Sequence, residues 1–131
     1  MTERPLSPHL SVYRMSRYTL LTSILNRAAG LALSAGLILL VYWLVAMASG
    51  ANAYRNARDV LSLGVLKALY VILLATFSYH LFAGIRHLIW DTGRGLERAQ
   101  AKRSAALIAI ASILLFVGLA WWALYAQGRA P

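Results

Sequence analysis

The apolar stretch YHLFAGIRHLIWDTG, residues 79–93, carries two histidines seven residues apart and an arginine. On a helix at about 100° per residue, His80 and His87 are nearly eclipsed, with Gly84 between them on the same stripe and Arg86 pointing elsewhere. A neutral imidazole is a strong ligand for haem iron, and a glycine one turn away removes the side chain that would block a flat macrocycle. A second constellation is SILNRAAG, residues 23–30, at the entry to the first apolar run. There Ser23 and Arg27 share a helix face and Asn26 is adjacent, so hydroxyl, amide and guanidinium cluster. Such donors can hold a quinone carbonyl or, in the case of Arg27, a haem propionate.

Each residue also has a plainer reading. His80 can serve an interhelical hydrogen bond, His87 sits near the headgroups, Ser23 suits an N-terminal helix position, and Arg27 can snorkel to the surface. Counting from Trp90 at the membrane edge, His80 lies ten residues deep, about 15 Å at 1.5 Å per residue and close to the bilayer midplane. An ionisable side chain at that depth is costly and by default marks a site facing the protein interior. Periodicity alone does not choose between ligand and hydrogen bond. The only other histidine is His9, in the N-terminal arm, so a haem held by two deep histidines needs its second ligand from another chain.

The elements that must position these groups are transmembrane helices. Of the 131 residues 60% are hydrophobic and 13% charged, and the mean hydropathy is +0.63, values foreign to a soluble domain. Apolar runs cover 28–49, 61–90 and 105–126, each long enough for a span of about 20 residues. The expected fold is all-α, a single membrane domain over 1–131, with a cytoplasmic segment 1–22 and spans near 23–49, 61–91 and 105–127. Arg4, Arg14, Arg17 and Arg27 precede the first span, and Arg94, Arg98, Lys102 and Arg103 separate the second from the third. The other side has only Arg55, Arg58 and Arg129, so the N-terminus is expected in the cytoplasm and the C-terminus outside. Tyr42, Trp43, Tyr54, Trp90, Trp121, Trp122 and Tyr125 mark the membrane edges. Three helices that carry inward polar groups make a poor closed bundle, and a partner helix or two is implied.

Several functions are disfavoured. With no cysteine, the chain offers no disulfide, thiolate zinc site or iron–sulfur cluster ligand. The net charge of +9 flanks apolar helices instead of forming one soluble patch, which favours membrane topology over nucleic acid. None of the four acidic residues sits at midplane, where a cation-coupled transporter would place one. The first run is too long for a signal-peptide core, and MTERPLSPH lacks an amphipathic presequence, so a bacterial or already processed protein is expected. Lys67 reads as snorkelling, and Arg55, Arg58 and Asp59 as a solvated loop. Asp91 either balances Arg86 and Arg94 or stabilises the following loop.

The segment His80-x-x-x-Gly84-Ile85-Arg86-His87-Leu88-x-Trp90-Asp91-x-Gly93, together with RPLSPHLSVYR at 4–14, resembles the cytochrome b556 subunit of succinate dehydrogenase, the small membrane anchor C. The resemblance covers essentially the whole chain. It implies half of a multi-helix bundle completed by a second anchor subunit, in a bacterial inner membrane. It also implies one haem b shared between the two anchors, ubiquinone as substrate, and flavoprotein and iron–sulfur subunits as partners. Carried over, His80 matches the haem axial ligand and His87 a position near the propionates, as does Arg27. Ser23 and Arg27 match residues lining the quinone site, with Asn26 beside them and Asp91 near it. The family usually has His where this chain has Asn26, and Ser or Thr where it has Ala29. Asn26 can donate a hydrogen bond but carries no proton to quinone. No succinate chemistry is expected in this chain. A fumarate reductase anchor and a haem-free structural anchor are the alternatives.

Overall fold

The computed structural model describes residues 17–128. Four helices follow in order: α1 (Arg17–Ala48), α2 (Ala51–Leu61), α3 (Gly64–Asp91) and α4 (Arg98–Gln127). Three contain membrane-length apolar segments, Thr19–Ala48, Gly64–Asp91 and Arg98–Ala126. The all-α membrane architecture is as expected. His9 and the 4–14 segment lie outside the described residues.

The helices begin and end differently from the apolar runs. α1 starts at Arg17 and α4 at Arg98, ahead of the expected 23 and 105. Backbone hydrogen bonding carries a helix into polar flanks such as Arg98–Ser104, to which hydropathy is blind. The first loop also needs correction: Arg55, Arg58 and Asp59 are solvent-exposed, but they stand on an amphipathic helix, α2, whose Ala57 is buried. Gly50 makes this possible. Its φ of +100° and ψ of 176° break α1 from α2 in a conformation open essentially to glycine alone. The hydroxyl of Tyr70 donates to the Leu61 carbonyl at 3.2 Å, which ties the end of α2 to α3.

α3 is the central helix, packed against both α1 and α4, with a lighter contact between α1 and α4. Apart from Ile108 and Arg86, the buried residues of the three long helices are small: Ala29, Ala46, Ala83, Ala101, Ser78 and Ser112. Small side chains let helix backbones approach where lipid gives no hydrophobic drive to associate. At Gly36 the approach is so close that a Cβ would stand 3.0 Å from both methyls of Leu73. Only 6%, 11% and 11% of the most apolar window of each span is buried. Most of the apolar surface is therefore left for lipid or other chains, as an incomplete bundle requires.

Candidate functional site

The two sequence constellations meet across the α1–α3 seam. The Tyr79 hydroxyl donates to the Thr22 carbonyl at 3.1 Å. Next to it, Nδ1 of His80 lies 3.2 Å from the carbonyl oxygen of Asn26. A carbonyl only accepts, so Nδ1 is the donor in this contact, and in a neutral ring the lone pair then falls on Nε2. Nε2 makes no hydrogen bond among the described residues. The interhelical hydrogen bond thus occupies one ring nitrogen and leaves the other without a partner among the described residues.

Gly30 faces the same ring: a Cβ there would stand 3.1 Å from Cε1 of His80. One turn along the same stripe, a Cβ on Gly84 would meet nothing within 4 Å among the described residues. His80 is half-buried, as are Ser23 and Asn26, whereas Arg27 is exposed. The Asn26 Oδ1 is buried without a hydrogen-bond partner among the described residues. A buried acceptor in that state suits a donor supplied from outside the chain.

Ser23 is not at a helix N-terminus. It is the seventh residue of α1, about 9 Å inside its start at 1.5 Å per residue. SILNRAAG therefore lies two turns inside α1, at the depth of His80, which touches Asn26 and Gly30. Asp91 is eleven residues beyond His80 while Ser23 is three before Asn26, which separates the two along the helix axes by about 12 Å. Asp91 is exposed and forms no ion pair among the described residues, so it balances neither Arg86 nor Arg94 there.

A second polar group occupies the α3–α4 seam. Arg86 is buried, with its guanidinium 3.9 Å above the centre of the Trp90 ring. Nη2 is 3.5 Å from the Ala101 carbonyl, and Nε has no partner among the described residues. The Trp90 indole N–H donates to the Gly95 carbonyl at 3.0 Å, and His87 meets the same ring edge-on at 5.4 Å. Gly93 and Gly95, at φ of +77° and +76°, turn the chain from α3 toward α4 around this ring. Sequence reasoning left Arg86 and Trp90 out of the candidate set, although their four-residue spacing on a helix was the available signal. It also missed Gly30 and Tyr79, whose roles depend on cross-helix register.

Among the described residues, no three His, Cys, Asp or Glu side chains gather as a metal site. His80 would act from this chain as a single ligand, which suits an iron already held in a macrocycle. A cavity of about 480 Å³ lies among Gly36, Trp43, Arg58, Tyr70 and Leu73 and contains none of the chemistry-bearing residues singled out above.

The family described as succinate dehydrogenase/fumarate reductase transmembrane subunit matches residues 1–119. The succinate dehydrogenase cytochrome b556 subunit of Paracoccus denitrificans is 42% identical, over 87% of this chain and 87% of its own length. The mitochondrial cytochrome b560 subunit of Sus scrofa is 37% identical, over 91% of this chain and 71% of its own. A cytochrome b556 subunit of Rickettsia felis is 34% identical over 86% and 87%. Together with three apolar spans around a half-buried histidine, these matches make the chain a member of the succinate dehydrogenase/fumarate reductase transmembrane subunit family.

Proposed function

We propose that the chain is a haem b- and ubiquinone-binding membrane anchor of succinate dehydrogenase, one that helps pass electrons from an iron–sulfur subunit to ubiquinone. The observation that carries the proposal is the state of His80: Nδ1 is engaged with the Asn26 carbonyl, and Nε2 has no partner among the described residues. The names of the relatives, cytochrome b556 and b560 subunits, support the same reading.

The residues present fit the group. An imidazole whose Nε2 has no partner among the described residues, space beside Gly84 that none of those residues fills, and a cationic Arg27 one residue from the Asn26 contact are the features a haem with anionic propionates needs. Bound haem supplies a one-electron centre. His80 would be a ligand to its iron, Arg27 and His87 would stand near the propionates, and a second anchor subunit would bring another ligand. Ser23 would donate its hydroxyl to a quinone carbonyl, and the Asn26 Oδ1 would accept from a quinol hydroxyl or a partner side chain. The basic residues Arg94, Arg98, Lys102 and Arg103 support an orientation with the α3–α4 loop in the cytoplasm, where the iron–sulfur and flavoprotein subunits would dock, and the C-terminus in the periplasm.

The test is a reduced-minus-oxidised spectrum of the solubilised complex, isolated with this chain as wild type and as His80→Leu. The expected result is a sharp low-spin b-type band in the wild type that is lost or converted in the variant, with the chain still in the membrane. A wild-type complex without haem would leave a haem-free anchor as the reading, and an unchanged band in the variant would remove His80 as the ligand.

A further inference from the structure

The contact between His80 and α1 is more specific than helix packing needs. Two features of α1 meet one imidazole: the Asn26 carbonyl at 3.2 Å from Nδ1, and Gly30, whose missing Cβ would stand 3.1 Å from Cε1. These residues are four apart. In an α-helix the carbonyl of residue i already accepts from the N–H of residue i+4, so the Asn26 oxygen is shared between Gly30 and His80. A side chain at i+4 would crowd the space from which a second donor reaches that oxygen. Glycine clears it.

We infer that Gly30 and the Asn26 carbonyl form a seat that sets the tautomer and rotation of His80, making Gly30 a positioning residue for iron ligation through Nε2. The inference rests on the haem reading given above and deepens it. A carbonyl acceptor at Nδ1 excludes the tautomer in which Nδ1 would be the ligand. It also draws the Nδ1 proton outward, which raises the basicity of Nε2 and favours ferric over ferrous iron. Alanine at 30 would push the ring off the seat by a few tenths of an ångström, lengthen the Nδ1–H···O contact and weaken that donation.

The seat is tested in the assembled complex with Gly30→Ala, and with Gly36→Ala as a control on the same helix. Gly36 faces the same α3 helix at a comparable approach, 3.0 Å to Leu73, but away from His80. The readouts are haem per flavin, the haem midpoint potential and the low-spin electron paramagnetic resonance signature. For Gly30→Ala a raised potential with a shifted signature, or a loss of haem, is expected, while Gly36→Ala keeps the wild-type haem. An unchanged potential and signature in Gly30→Ala would overturn the seat. So would equal changes in both variants, which would mark general crowding of the α1–α3 seam. His80→Leu separates the two levels: if it retains the wild-type low-spin signature, ligation by His80 itself fails whatever Gly30 does.

Discussion

The Arg86–Trp90 pair offers a quantitative test of how α3 is joined to α4. The guanidinium lies 3.9 Å from the ring centre, and Arg86 is only 5% exposed. Desolvation of this kind moves a cation–π contact from the exposed value of about 0.5–1 kcal/mol toward about 2 kcal/mol. The contact to the Ala101 carbonyl, at 3.5 Å, is too long to contribute comparably. Single substitutions mix several effects. Arg86→Met also relieves a buried Nε that has no partner among the described residues, whereas Trp90→Leu strands the charge and removes the donor to Gly95. A double-mutant cycle isolates the pair. The expected coupling is about 1–2 kcal/mol, a factor of roughly 5–30 in the folded-to-unfolded ratio, with Trp90→Leu the more damaging single change. The assay is unfolding in mixed micelles of rising dodecyl sulfate content, followed by circular dichroism because one variant removes a tryptophan. Coupling below about 0.5 kcal/mol, the ordinary scatter of additivity, would refute the claim that this stack holds α3 to α4.

Two further substitutions address the quinone reading and the outer turn. Ser23→Ala should lower quinone reductase turnover roughly two- to tenfold, the worth of one hydrogen bond, while succinate oxidation by an artificial acceptor is unchanged; equal losses in both assays would remove Ser23 from the quinone site. Gly50→Ala should destabilise the chain by about 1–3 kcal/mol, because φ of +100° with extended ψ is strained for any L side chain; an unaltered unfolding midpoint in the same micelle titration would show that the α1–α2 junction relaxes.

The parts of this molecule that sequence exposes are those governed by local chemistry. Three apolar runs longer than the hydrocarbon core can only be spans, and a histidine ten residues inside one of them has to be explained. The α2 helix escaped because Arg55, Arg58 and Asp59 dominate eleven residues whose buried contact is a single small alanine, Ala57. That SILNRAAG lies inside α1 and not at its first turn is hidden from hydropathy, which sees the first apolar residue, whereas α1 begins at Arg17. The register of α1 against α3 is a different kind of information. That Asn26 and Gly30 face His80, and Thr22 faces Tyr79, depends on how deep each helix sits relative to the other. No period within either helix encodes that offset.

The low mutual burial of the three spans bears on how much of this chain a cell can keep. With 6–11% of each apolar window covered, the chain gains little of its final order from itself. Insertion of separate helices and their later docking are distinct stages for such a molecule. Whatever binds only the docked form stabilises it by mass action, so the mature population would track the supply of companion subunits. Copies made in excess would retain loosely associated helices and remain substrates for membrane proteolysis. Subunit stoichiometry would then be enforced after translation, by survival, without any dedicated regulator of synthesis.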